Sequence, residues 1–242
     1  MTDPKTALQE LSARGITTLE QLVDSTARMR KPQRIDSEKA LQDVLARLAP
    51  PDPSFKSKIG PPASSVAIVL DGKRVDYNAI ARLNGQPLDY VATTLKGGEQ
   101  ALVIFSDRSI MKNHRLRQFS GPFPAISQEV ENALLAGGLQ PASAIVQGID
   151  LGGRFFEDHF YQGGYGTLAP NDYVPDLTKL SDGLFGNWND KISSIQMGRC
   201  SCQAWEDINQ GGSSLSLYQD TQELDSIGWN DRISTIWFPF TN

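Results

Sequence analysis

The chain has 242 residues, of which 39% are hydrophobic, and its formal net charge is −5. This length and composition can support one large or two small folded domains, which excludes a globally disordered chain. The sequence has no apolar run near the ~20 residues of a membrane-spanning helix and no apolar leader at its N-terminus, so we expect a cytoplasmic protein without a membrane partner. Its mild acidity argues against a nucleic-acid partner.

Charged and aromatic residues divide the chain near residue 150. Residues 151–242 carry 5 basic and 12 acidic side chains, whereas residues 1–150 carry 18 and 16. All four tryptophans lie after residue 150. This asymmetry predicts a domain boundary at that point and a multidomain chain.

Residues 1–53 are predicted to form a helical arm. Apolar residues recur at helix-face spacing over residues 4–14, 18–30 and 37–48, and three prolines from residue 50 onward end the third helix. We expect this arm to pack on another part of the chain. A short helix pair can also bind DNA, but the mixed charge of these helices gives that alternative little support.

Residues 64–119 are predicted to form a small α+β domain after a linker. The pair Asp71-Gly72 predicts a tight hairpin turn between two strands, at residues 66–70 and 73–77. A helix, two strands and a second helix follow, at residues 77–83, 88–93, 101–106 and 109–119. Residues 120–150 are predicted to form one more helix, at 124–136, and a connector.

No catalytic motif is visible in the sequence. A phosphate-binding glycine loop, His-Glu-x-x-His and Gly-x-Ser-x-Gly are all absent, and the chain has two histidines, His114 and His159. Cys200 and Cys202 are interpreted as reduced thiols on one strand face. We therefore expect a protein that is not an enzyme, although an activity within residues 64–119 stays open as an alternative.

Internal repetition is the most informative feature of residues 151–242. The segments WNDKISSI, at residues 188–195, and WNDRISTI, at residues 229–236, match at all eight positions by identity or conservative exchange. Each follows an aromatic-Glu-Asp sequence, which begins at Phe156 in the first unit and at Trp205 in the second. Each unit has the length and turn signals of about four short strands, so two units are predicted to pack as an all-β sandwich.

These residues resemble the βγ-crystallin superfamily over about residues 152–240. Its Greek-key motif has an aromatic residue, four residues, a second aromatic, one residue and a glycine, which Phe156, Tyr161 and Gly163 match. In the second unit, Trp205 and Gly212 match, but Gln210 replaces the second aromatic residue. The resemblance implies a two-motif Greek-key sandwich at residues 151–242, preceded by the α+β domain and the helical arm.

Microbial members of this family share a stronger motif, Asn/Asp-Asn/Asp-x-x-Ser/Thr-Ser. It occurs here as NDKISS from Asn189 and as NDRIST from Asn230. In the family this double motif binds two calcium ions, and the resemblance implies the same here. One such motif is also compatible with an ordinary turn, because Asn, Asp and Ser all favour turns, but two copies at matched positions are hard to explain by chance.

Calcium requires six to eight oxygen ligands, and these segments supply carboxylates, hydroxyls and carbonyls. The resemblance implies two sites that each take ligands from both motifs. The first site would use the carbonyls of Glu157 and Lys191, the hydroxyl of Ser193 and the carboxylate of Asp231. The second would use the carbonyls of Glu206 and Arg232, the hydroxyl of Ser234 and the carboxylate of Asp190. With one carboxylate per ion, we expect micromolar or weaker affinity.

The sequence thus predicts a non-enzymatic calcium-binding protein with a structural or stress-related role, in which calcium stabilises the C-terminal domain. A peptidase inhibitor with a crystallin-like fold is the alternative, although the absence of a plausible disulfide argues against it. A protein partner is left open.

Overall fold

The computed structural model describes residues 32–46, 56–57, 59–83, 85–120, 128–141, 152–182 and 186–239. The helices predicted at residues 4–14 and 18–30 lie outside these ranges. In the described part of the chain, no helix combines the length and apolarity needed to cross a membrane.

The third predicted helix of the arm is confirmed. Strand β1 (Gln33–Arg34) is followed by helix α1 (Glu38–Ala46), and the Ser37 hydroxyl accepts a hydrogen bond from the Ala40 amide at 3.2 Å. This contact satisfies one of the free amides at the start of the helix. Leu41, Val44 and Leu45 form its buried side.

The α+β unit has the order of elements that the sequence predicts. Strands β2 (Ala67–Leu70) and β3 (Lys73–Val75) form a hairpin, and Asp71 and Gly72 at its turn both have positive φ, 47° and 77°. Such a turn matches the twist of the two strands. The other elements are α2 (Tyr77–Ala81), β4 (Asp89–Thr94), β5 (Gln100–Phe105), α3 (Arg108–Ser120) and α4 (Gln128–Ala136).

The rest of the described chain consists mainly of short strands. They are β6 (Gly153–Asp158), β7 (Gln162–Leu168), β8 (Asp172–Val174), β9 (Ser194–Met197), β10 (Cys202–Trp205), β11 (Ser214–Leu217) and β12 (Thr235–Trp237). Short 3₁₀ turns separate several of them.

These strands belong to two sheets. The smaller sheet has the order β7-β6-β9, and the larger has the order β1-β8-β12-β10-β11-β4-β5-β2-β3. Strand β8 pairs with β12, whereas Thr221, which follows β11, bridges Ile195 in β9. Each of the two sequence-related units therefore contributes one extended segment to the sheet that contains the other unit.

The larger sheet crosses the boundary predicted near residue 150. Strand β11 pairs in parallel with β4, in a register that joins Ser214 to Asp89 and Leu217 to Ala92. The strands of the α+β unit and those of the second C-terminal unit thus form one continuous sheet.

Apolar residues cover both faces of this large sheet. One face packs against the small sheet, and this core extends into the α+β unit through Ile68, Tyr90 and Ile104. Helices α3 and α4 cover the other face near β4 and β5, while α1 covers it near Trp205 and Trp237. Parallel strand pairing is found where both faces of a sheet are buried, and this architecture provides that burial.

Both cysteines lie in the core between the sheets. Cys200 and Cys202 are free thiols and are buried. Burial raises the pKa of Cys200 to about 12 and raises the pKa of Cys202 well above its ordinary value. Their packing is that of small apolar residues, as the strand-face interpretation predicts.

A buried ion pair lies where β4 meets β11. The guanidinium of Arg115 lies 3.6 Å from an oxygen of Asp89, and both side chains are 1% exposed. Arg115 also donates to Gln203 at 2.9 Å and to the Ser214 hydroxyl at 2.6 Å, and its guanidinium lies 5.2 Å from the ring centre of Trp205. One side chain of α3 thus contacts strands from both parts of the sheet.

Replacing Arg115 by alanine should lower the free energy of unfolding by about 3–5 kcal/mol, because the buried groups of Asp89, Gln203 and Ser214 would lose a charged partner. Arg108, 3.7 Å from Asp89, would remain as the other cation beside that carboxylate. Chemical denaturation of the full chain measures this loss. The exposed Asn113→Ala in the same helix is the control and should change stability by less than about 0.5 kcal/mol. Similar losses in the two variants would contradict the role of the buried pair.

Candidate metal centre

The two motif loops lie against each other and have the same backbone geometry. Asp190 and Asp231 each have a φ of 53°, a left-handed conformation that aspartate tolerates better than most residues. The Asp190 amide donates to the Ile233 carbonyl at 3.1 Å, and the Asp231 amide donates to the Ile192 carbonyl at 3.2 Å. These crossed bonds hold each aspartate beside the loop of the other motif.

The aspartate and serine side chains pair across the two motifs. The Ser193 hydroxyl lies 3.4 Å from a carboxylate oxygen of Asp231, and the Ser234 hydroxyl lies 3.3 Å from one of Asp190. These pairings are those implied for the two sites by the family resemblance. The structure therefore brings the four predicted side-chain ligands together in two crossed pairs.

The asparagine before each aspartate has a role that the sequence analysis did not assign. The side-chain amide of Asn189 donates to a carboxylate oxygen of Asp190 at 2.9 Å, and the side-chain amide of Asn230 donates to one of Asp231 at 2.8 Å. Each bond leaves the other carboxylate oxygen directed at a serine. His159 lies 3.0 Å from the Asn230 side-chain oxygen, and only its position after an aromatic-Glu-Asp sequence could have indicated this contact.

Backbone bonds place the two predicted glutamates next to the serines. The Ser193 amide donates to the Phe156 carbonyl, and the Ser234 amide donates to the Trp205 carbonyl, both at 2.9 Å. Glu157 and Glu206 are the residues that follow those two carbonyls. Glu157 lies at a shift in the pairing between β6 and β7, so it has no register partner in β7.

The last position of each motif supports the preceding turn. The Ser194 hydroxyl donates to the Asp158 carbonyl at 2.6 Å, and the Thr235 hydroxyl donates to the Asp207 carbonyl at 2.8 Å. The same hydroxyls accept from the amides of Tyr161, at 3.1 Å, and Gln210, at 3.3 Å. Threonine can replace serine at this position because the contacts use only the hydroxyl.

The two turns have matching left-handed residues despite their different sequences. Phe160 and Tyr161 have φ of 56° and 62°, and Asn209 and Gln210 have φ of 54° and 60°. In the first turn the ring of Tyr161 lies 5.6 Å from that of Phe156. In the second turn Gln210 is buried and donates to the Tyr173 hydroxyl, so a hydrogen bond replaces the aromatic contact.

The first predicted site opens into a cleft of about 410 Å³, lined by Glu157, Asp158, His159, Asp190, Lys191, Ser193, Asn230 and Asp231. The Lys191 ammonium lies 2.5 Å from Asp182 and 3.9 Å from Glu157. The Lys191 ammonium thus pairs with two carboxylates that do not belong to the aspartate–serine pairs.

The other predicted residues have different surroundings. Glu206 is fully buried, and its carboxylate accepts from the Ser57 hydroxyl at 3.2 Å and from the Ser213 amide at 3.3 Å. Arg232 is partly exposed. Within the described residues, no hydrogen-bond donor pairs with the backbone carbonyl of Lys191 or that of Arg232.

Partial burial affects the pKa of Asp231, the carboxylate of the Ser193–Asp231 pair. Burial raises the pKa of Asp231 above its ordinary value, while the Ser193 hydroxyl, Arg232 and His159 oppose this shift and Asp190 adds to it. Over the described ranges, no group of three or more His, Cys, Asp or Glu side chains is arranged to hold a metal ion. A metal here would depend on hydroxyl and backbone oxygens as well as carboxylates.

Comparison with known proteins finds similarity between part of this chain and several solved structures. No family model and no curated protein matches the sequence. Among solved structures, a βγ-crystallin domain from Flavobacterium johnsoniae is 30% identical, covers 38% of this chain and 96% of its own chain, and has a TM-score of 0.32. A βγ-crystallin from Ciona intestinalis is 25% identical, with coverages of 36% and 98% and a TM-score of 0.31.

A βγ-crystallin from an archaeon is also similar, at 24% identity, with coverages of 37% and 98% and a TM-score of 0.30. Part of the chain, which consists mostly of β-sheets, is thus similar to several βγ-crystallin domains, over 36–41% of its length.

Replacing the hydroxyl at the last motif position should destabilise the protein. Ser194→Ala and Thr235→Val should each lower the free energy of unfolding by about 1–3 kcal/mol, because buried backbone groups would lose a partner. Thr235→Ser keeps the hydroxyl and should stay closer to the original protein. Urea denaturation of the full chain compares the three variants, and equal losses in Thr235→Ser and Thr235→Val would contradict the hydroxyl's role.

Proposed function

We propose that this protein binds two calcium ions without being an enzyme, and that calcium stabilises its C-terminal part in a structural role. The observation that carries this proposal is the crossed pairing of Ser193 with Asp231 and of Ser234 with Asp190. The strand exchange between the two units further supports describing them as Greek-key motifs.

The donor set fits calcium by its chemistry. Asp190, Asp231 and the two serines offer only oxygen atoms, which calcium prefers and which zinc or copper sites seldom use alone. Two oxygens bound at right angles to one calcium ion, each at about 2.4 Å, would lie about 3.4 Å apart. The serine and aspartate oxygens have separations of 3.4 Å and 3.3 Å.

Backbone oxygens complete the proposed sites. The carbonyls of Lys191 and Arg232 belong to the motif loops. Those of Glu157 and Glu206 come directly after the two carbonyls that accept from the serine amides. Calcium would supply positive charge between Asp190 and Asp231. The rest of the protein supplies the framework, because the crossed backbone bonds and the Asn189 and Asn230 amides orient the carboxylates before an ion arrives.

The small number of carboxylates limits the expected affinity. Each site would have one aspartate, and oxygen sites of low charge bind calcium in the micromolar to millimolar range. An ion that binds only the folded protein stabilises it by about 2.7 kcal/mol at a hundredfold excess over Kd. The peptidase-inhibitor alternative has no supporting observation among the described residues.

Calorimetric titration of chelator-stripped full-length protein should detect two calcium ions per chain. Calcium at a concentration well above Kd should also raise the melting temperature relative to protein in chelator, because the bound ions stabilise only the folded state. Magnesium at the same concentration is the control, and it should have a smaller effect because it requires a more rigid octahedral site. Absence of calcium uptake at millimolar concentration would refute the proposal.

The two aspartates should act on sites across the motif boundary. Asp231→Ala should weaken binding at the Ser193 site more than Ser193→Ala does, because it removes a charged ligand, and Asp190→Ala should act in the same way on the Ser234 site. Titration and crystal structures of the calcium-loaded variants locate the lost ion. Glu223→Ala, at an exposed acidic residue, is the charge control. Loss of the Ser193 ion in Asp190→Ala, with the Ser234 ion retained, would show that the sites are not crossed.

A further inference from the structure

The two motifs have unequal surroundings, and the difference lies at the matched glutamates. The side chain of Glu157 is 50% exposed and lies at the open cleft. Glu206, its counterpart in the second unit, has an exposed fraction of 0%. The part of the chain that precedes the C-terminal strands covers the second position and does not line the cleft at the first.

The described residues 56–57 and 59–63 contact the second unit, and we refer to them as the bridging segment. The Ser57 hydroxyl donates to the Glu206 carboxylate at 3.2 Å. The Gly60 amide donates to the Gly228 carbonyl at 2.9 Å, and the Ala63 amide donates to the Ser226 carbonyl at 2.8 Å. The Tyr77 hydroxyl lies 3.5 Å from the Ile59 carbonyl, which connects the segment to α2.

The backbones of Gly60 and Gly228 approach each other too closely for a side chain on Gly228. A Cβ atom at Gly228 would lie 2.1 Å from the Gly60 carbonyl oxygen, and Gly228 has a φ of 78°. A Cβ atom at Gly60 would lie 3.8 Å from the Gly228 oxygen, which is an ordinary contact. The close packing therefore depends on glycine at one of the two positions.

These contacts fix two of the three chain segments that would hold the second ion, and Asp190 of the first motif belongs to the third. Glu206 follows β10, and its carbonyl is a proposed ligand. Gly228 stands two residues before Asn230, at the start of the loop that carries Arg232 and Ser234. We propose that the bridging segment is part of the framework of the second calcium site, so that its docking and calcium binding at that site strengthen each other.

The sign of this coupling follows from preorganisation. A loop that is already held in its binding geometry loses less conformational freedom when the ion binds, so the docked segment should raise affinity. Linkage requires the reverse effect to be equal in size, so calcium should tighten the docking of the segment by the same factor. The first site takes one ligand, Asp231, from the same loop and none beside Glu206, so it should respond less.

This inference rests on the proposed calcium binding and is tested on the full chain. Ser57→Ala removes the contact with Glu206, and Gly60→Pro removes the amide that donates to Gly228. Their matched controls are Ser64→Ala, at an exposed serine of the following turn, and Gly60→Ala, which keeps the amide and has space for its methyl group. Calorimetric titration with calcium gives the affinities of the two sites.

We expect Ser57→Ala and Gly60→Pro to weaken one of the two calcium sites by about fivefold or more, while the other site loses less affinity and both controls stay unchanged. The affected site should be the one that Asp190→Ala abolishes. In the unaltered protein, calcium should slow amide hydrogen exchange of residues 56–63 by a similar factor, as measured by mass spectrometry.

The two proposals fail in different ways. If the unaltered chain binds two calcium ions, the variants bind them equally well, and exchange in the bridging segment does not respond to calcium, the coupling is wrong and calcium binding stands. An equal loss at both sites would also overturn the specific role of the segment. If the unaltered chain binds no calcium, the proposed function and the coupling both fail.

Discussion

The parallel pairing of β4 with β11 is the constraint on which the rest of this structure depends. It joins two groups of strands that are far apart in sequence into one sheet, and it leaves neither group with a free edge at that point. Parallel pairs need cover on both faces. The small sheet supplies that cover on one face and the helices supply it on the other, so each layer of the molecule has a role in protecting this contact.

The same junction explains a polar layer inside the molecule. Asp89 and Ser214 are partners in the β4–β11 register, and their side chains are hydrogen-bonded. Arg115 contacts both of them and also lies over Trp205. A slip of one residue would turn Ser214 away from Asp89, because side chains alternate between the faces of a sheet. The buried polar groups are therefore paired in the observed register, and a register shifted by one residue would leave them without these partners.

Local features of the fold could be predicted from the sequence, and long-range pairing could not. The Asp71-Gly72 turn and helix α1 follow from short patterns whose residue types have particular backbone preferences. The crossed Ser193–Asp231 contact is implied by the family resemblance. The pairing of β4 with β11 joins residues about 125 positions apart, and no periodicity in either strand identifies the other. Gln210 shows the same limit. Where the first unit has a contact between the rings of Phe156 and Tyr161, Gln210 forms a hydrogen bond with Tyr173, a residue of the first unit that is distant in sequence.

Two nearly identical loops need not have equal properties when one chain surrounds them differently. The motif residues give both loops the same left-handed aspartate, the same crossed bonds and the same supporting hydroxyl. Glu157 nevertheless faces an open cleft, whereas Glu206 lies beneath residues from outside the two units. The continuous sheet causes this difference, because pairing with β4 brings the α+β unit and the segment before it to the second loop alone. The asymmetry between the loops is thus a consequence of topology, and the motif sequences themselves contain no sign of it.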